Sequence, residues 1–187
     1  MPTEIEVCNA ALMAIGVKPI TSLDDAISSA NVLKVWYPIT RDSVLRAHPW
    51  NFAEKRAVLA LVAGETPAMD YAYFFQLPGD CLRVRKLSDE AVDIPYKVEG
   101  NRLLMDEAEG SILYTFRETN ISAWDPIAVE CLIFRLASNV AFPLKQDAAL
   151  VKTMFELYKD RLPDAQSVDA QEGTADAPQC NDLLEVR

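Results

Sequence analysis

His48 is the only histidine in the 187-residue chain, and so the only imidazole available for acid–base or nucleophilic work. An imidazole titrates near neutrality, which makes it the default proton shuttle. Here it stands immediately before Pro49, at a predicted helix end. A cationic ring there complements the helix dipole. Capping therefore explains this residue more simply than catalysis. Carboxylates are the other available chemistry. Glycoside hydrolysis needs two of them about 5–10 Å apart around the scissile bond. Glu54, Asp80, Asp89, Glu90, Asp93, Asp106, Glu107, Glu109 and Glu118 supply many combinations, and their spacing selects none.

The four cysteines, Cys8, Cys81, Cys131 and Cys180, are widely separated and form no C-x-x-C pair. A structural zinc site takes about four clustered ligands, so no metal or other cofactor is expected. Cys8 and Cys131 fall on apolar helical faces and read as small core residues. The six glycines, at 16, 64, 79, 100, 110 and 173, are scattered and build no phosphate loop. There is no G-x-S-x-G nucleophile elbow. Arg83, Arg85 and Lys86 form the best basic cluster, with Arg83 and Arg85 on one face of a strand. The net charge of -10 opposes nucleic-acid binding, which rests on neutralising phosphates. A solvated or paired strand face is the plainer reading.

The chain is half hydrophobic, enough for one domain or one domain with an insertion. The N-terminus lacks the basic and apolar regions of a signal peptide. No apolar run is expected to cross a bilayer. Both points favour the cytoplasm.

Helices are expected at both ends. Thr3 and Glu6 form a capping box ahead of Ile5, Cys8, Leu12 and Ile15, and Gly16 closes that helix. A second helix begins near Asp24 or Asp25 and ends at Pro49. Pro38 inside it predicts a kink or two abutting helices. Asp125 and Pro126 open a third helix with a broad apolar face, ended by Phe142-Pro143. A fourth starts near Asp147, with Val151, Phe155, Tyr158 and Leu162 as its stripe, and Pro163 breaks or kinks it.

Between the helix pairs the chain reads as strands: 56–62, 71–77, 81–87, 94–98, 102–105 and 111–117. Glu99-Gly100-Asn101 supplies a hairpin turn. Short turns imply antiparallel pairing. Tyr71, Tyr73 and Phe75 share one face, with Phe74 on the other, so both faces need cover, from the helices or from another subunit. The predicted class is α+β: a four-helix bundle from residues 1–55 and 122–168, an inserted antiparallel β region at 56–121, and a flexible tail at 169–187. Direct packing of the sheet on the helices within one α+β domain is the other arrangement. From Asp164 onward the chain is polar and acidic, too poor in apolar surface to order itself. It carries one aliphatic cluster, Asp182-Leu183-Leu184-Glu185-Val186-Arg187, with the character of a docking peptide.

His48-Pro49-Trp50-Asn51-Phe52 sits where the second helix gives way to the strands. It resembles an "hPWnFA" signature found in one phage family. "CNAALMAIGVKPITSLDD" (8–25), "WYPITRDSVLRAHPWNFAEKRAVLA" (36–60), "YFFQLPGDCLRV" (73–84), "YKVEGNRLL" (96–104) and "RLASNVAFPL" (135–144) follow in the same order. Together they resemble the tail tubular protein A family of short-tailed phages, the head-to-tail adaptors or gatekeepers. The resemblance implies a structural virion protein, assembled in the host cytoplasm, that forms a dodecameric ring between the portal protein and the tail nozzle protein. Genomic DNA would pass through the ring without specific binding, past acidic walls. Asp182, Leu183, Leu184, Val186 and Arg187 would dock on the portal. His48, Pro49, Trp50 and Phe52 would form a hinge between helices and sheet. A tail-associated peptidoglycan hydrolase, using paired carboxylates, is the enzymatic alternative.

Overall fold

The structure, a computed structural model, describes residues 2–87 and 94–173. It is a mixed α+β fold with four helices and two antiparallel sheets. Helix α1 spans Glu4–Ala14. Thr3 accepts from the Glu6 N–H, and Glu6 answers through the Thr3 N–H at 2.6 Å. Gly16 then turns the chain with φ of 67°, a conformation open to glycine because it lacks a Cβ.

Helix α2 spans Ser28–Ala47. It begins later than the aspartates suggested. Asp25 instead accepts the N–H groups of Thr21 and Ser22, stabilising the loop before the helix. Pro38 does not divide α2. Pro38 is exposed, as is Lys34, the residue whose carbonyl the missing N–H would have met. The helix is held from the other side, where Leu33, Tyr37, Thr40 and Val44 are buried.

Helix α3 spans Pro126–Lys145 and is capped by Asp125, which accepts from the N–H groups of Ile127 and Ala128. Phe142-Pro143 does not end it: Pro143 lies within the last turn, and Gln146 closes the helix in a left-handed conformation. By length and composition α3 could cross a membrane, with a mean hydropathy of 1.6 over its most apolar window. The expectation of no such run overlooked it because Glu130 and Arg135 interrupt the stretch. In this fold α3 packs against α1, α2 and α4. Cys131, Leu132, Leu136, Ala137, Val140 and Ala141 are fully enclosed there. Central position, rather than lipid, accounts for its apolarity.

Helix α4 spans Ala148–Gln171, capped by Asp147. It runs through Pro163, so the chain from Asp164 to Gln171 is ordered, contrary to expectation. Its polar composition concealed two anchors, Ala165 and Asp169, which are 1% and 3% exposed.

Among the described residues, seven strands lie between α2 and α3. They are β1 (Glu54–Val58), β2 (Ala60–Leu61), β3 (Tyr73–Gln76), β4 (Cys81–Leu87), β5 (Lys97–Glu99), β6 (Arg102–Met105) and β7 (Ser111–Phe116). One sheet has the order β1-β7-β4 and the other β2-β3-β6-β5. The segment read as one strand over 56–62 is therefore two, parted at Leu59, whose N–H bonds the Gly110 carbonyl. Leu59, Phe75, Leu77, Leu87, Leu103, Met105, Ile112 and Tyr114 make a second core shared by the two sheets. Phe75 is buried there, while Arg102 covers Phe74 on the opposite face. The β5–β6 hairpin turns at Gly100, with φ of 61°. A left-handed conformation is strained for any residue with a Cβ by about 1–2 kcal/mol. Gly100→Ala is therefore expected to lower stability by about 1 kcal/mol, read as a smaller urea midpoint at unchanged slope.

Candidate functional site

The segment after α2 is where α2, α4 and the β1-β7-β4 sheet meet. Trp50 is fully buried, and its indole N–H donates to the Val44 carbonyl at 2.9 Å. His48 packs edge-on against it at 4.7 Å. Phe52 stacks on Trp50 at 5.6 Å and on Trp124 at 5.1 Å. The aromatic series thus joins the end of α2 to the approach to α3. Pro49 is exposed and separates His48 from Trp50.

Two charged side chains tie this aromatic series to the rest of the molecule. Asp169 reaches in from α4. One carboxylate oxygen lies 3.1 Å from His48 Nε2, and the other accepts the Asn51 N–H at 2.8 Å. The Asn51 amide closes the ring by donating to the Asp169 carbonyl. Arg85 reaches in from β4. It donates to the Trp50 carbonyl at 2.7 Å, to Thr115 Oγ1 at 2.9 Å and to Glu54 at 3.1 Å. Burial draws the Arg85 guanidinium below its ordinary range, with Glu54 and Asp169 acting in the other direction. A third tie lies nearby, where Arg117 after β7 donates to Asp42 of α2 at 2.7 Å.

This arrangement changes the meaning of two sequence candidates. His48 and Asp169 form a hydrogen-bonded pair, but their surroundings are a structural junction. The other Asp169 oxygen is held by backbone, and the imidazole edge lies on Trp50. Arg85 faces inward, so the cluster Arg83, Arg85 and Lys86 does not present three free cations. A β-bulge between Val84 and Lys86 accompanies this inward placement.

The carboxylates are largely engaged as well. Asp80 accepts from Lys55 and from the Tyr114 hydroxyl. Burial raises its carboxyl, but these two partners outweigh that and leave it below the usual range. Asp106 accepts the Ala72 N–H, and Glu118 accepts the Asn120 N–H. Asp89, Glu90 and Asp93 lie outside the described residues. Asp70 and Glu99 line a hollow of about 270 Å³ on the second sheet, though Glu99 is paired with Lys97 at 2.8 Å. Among the described residues, no three His, Cys, Asp or Glu side chains are grouped to hold a metal ion. The portal-docking candidates Asp182, Leu183, Leu184, Val186 and Arg187 also lie outside the described residues.

Cys8 and Cys131 are enclosed in the helical core. Burial pushes their thiols up to about 12 and about 11. The thiolate is the reactive form, so both are expected to resist a disulfide-exchange reagent at pH 8 until the protein unfolds. Release of thiol signal from either in the native state, located by mass spectrometry, would contradict this. Their folded values lie above the ordinary thiol value of 9.0. Their contribution to stability is thus complete below pH 9 and is lost as pH rises through the folded values.

Asp169 is the residue that sequence reasoning missed. It falls within the predicted tail, and its partners His48 and Asn51 precede it by 121 and 118 positions. Comparison with protein-family models and with curated proteins gave no match.

Proposed function

We propose that the chain is a structural subunit of a head-to-tail adaptor ring in a short-tailed phage or prophage. The observation that carries this reading is the ordered motif series, whose most specific segment, 36–60, builds the junction around Trp50. In this reading the helices from 1–55 and 122–168 act as one four-helix bundle, with the β region as its insertion. Neighbouring subunits meet through unlike surfaces, and such contacts close into a ring only if the rotation between them is right. The junction sets the angle between helices and sheets, so one angular error would repeat at every subunit.

The ring would sit between the portal protein and the tail nozzle protein. Its net charge of -10 suits a channel through which DNA slides without adhering. The chain would be a virion component and not an enzyme. Residues 182–187 would make the portal contact. The direct test mixes the folded protein with the portal protein of the same genome and images the product by electron microscopy. Rings seated on the portal are expected. Bare portals beside folded, monomeric protein would rule the reading out.

A further inference from the structure

A shallow groove of about 400 Å³ opens between α2, α3 and α4. Trp36, Phe142, Val151 and Phe155 form its apolar lining, and Arg135 and Lys152 flank them. Phe142 and Phe155 are 58% and 37% exposed. Arg135 lies 4.8 Å from the Phe155 ring centroid, and among the described residues no carboxylate pairs with it. Among the described residues, Lys152 has only a loose 3.8 Å contact with Glu156. The result is an apolar surface edged with cations, on a chain of net charge -10.

We propose that this groove is the intramolecular seat of the segment Asp182-Leu183-Leu184-Glu185-Val186-Arg187. Its aliphatic residues match the aromatic lining, and Asp182 and Glu185 match Arg135 and Lys152. The reach also fits. From Gln171 back to Phe155 along α4 is sixteen residues, or about 24 Å at the helical rise. From Gln171 to Leu183 is twelve residues, which span at most about 40 Å when extended. A flexible coil of twelve residues averages about 19 Å end to end. Effective concentration is greatest when the average length of a linker is close to the span it must cover. This favours the chain's own segment over one from a second copy. The seated segment shields Phe142 and Phe155 in the isolated protein, and any surface that binds the segment more tightly uncovers them. The proposal concerns the isolated chain and stands whether or not the adaptor reading holds.

A nitroxide label on Cys180 tests it in the full-length protein. Cys81→Ser removes the competing half-buried thiol, since Cys8 and Cys131 are enclosed. In isotopically labelled protein, the amide signals of Ser138, Asn139, Val151 and Lys152 are expected to lose most of their intensity while the nitroxide is active. Reduction of the label should restore them. The double substitution Leu183→Asp with Leu184→Asp should abolish the loss, with the remaining spectrum unchanged. Unperturbed groove signals, or a loss that survives the double substitution, would overturn the proposal. So would broadening that is as strong when unlabelled-isotope protein carries the nitroxide, because the segment would then be seated between molecules.

Discussion

Trp50→Ala is expected to lower the unfolding free energy by about 4 kcal/mol, near the middle of the range for removing a buried tryptophan. Three effects combine. The indole leaves a cavity in a region where Trp50 is fully buried. The Val44 carbonyl loses its 2.9 Å donor. His48 and Phe52 lose the ring against which both pack. Stabilities of whole domains are about 5–15 kcal/mol, so the variant should still fold in the cold, with a much reduced urea midpoint. Trp50→Phe retains most of the volume and isolates the hydrogen bond, worth about 1 kcal/mol. A drop below about 1 kcal/mol for the alanine variant would show that the site collapses around the loss. The adaptor reading adds a second outcome: folded Trp50→Ala should fail to form regular rings. Normal rings from that protein would refute the hinge role.

Local chemistry made much of this fold legible. Thr3 with Glu6, Asp125 with Pro126, and Asp147 each mark a helix start through hydrogen bonds to residues two or three positions away. Gly100 marks its hairpin through a backbone angle. Those signals lie within a few residues, so the sequence displays them. Pro143 does not end α3, and Pro38 and Pro163 do not divide α2 and α4, because a proline's cost is local while its compensation is tertiary. Pro38, Pro143 and Pro163 all stand inside helices whose other faces are packed. A proline removes one hydrogen bond at about 3 kcal/mol, and a few well-buried side chains offset that. The division of 56–62 at Leu59 was hidden for a related reason. Strand propensity says where a chain extends, not which sheet each half joins.

The junction was half legible. Trp50 and Phe52 stood out as aromatics after a helix stop, which pointed to packing between parts. Their charged partners did not stand out. Arg85 reads as part of a surface cluster with Arg83 and Lys86, because simple alternation conceals a bulge. Asp169 sits in a polar stretch whose composition resembles a solvated tail. Its importance comes from contacts across 118 and 121 positions, and separations of that length leave no trace in local spacing.

Asp169 therefore provides the sharpest test of where the folded domain stops. Asp169→Ala is expected to lower stability by about 3 kcal/mol, because buried donors left without an acceptor bear their full desolvation penalty. The Asn51 N–H and the His48 ring nitrogen both lose their partner. Asp169→Asn keeps an oxygen for one of them and should lower stability by only about half as much. Two truncations extend the argument to the backbone. Ending the chain after Gly173 retains all of α4 and removes only the small contribution of the segment seated in the groove. Ending it after Val168 removes Asp169 together with the carbonyl that accepts from the Asn51 amide, and should destabilise at least as much as Asp169→Ala. Equal midpoints for the two truncated proteins would mean that α4 holds α2 through its apolar stripe alone. A gap close to the Asp169→Ala effect would place the end of the structural domain after Asp169, and make that carboxylate the clamp by which α4 fixes the end of α2 against the sheets.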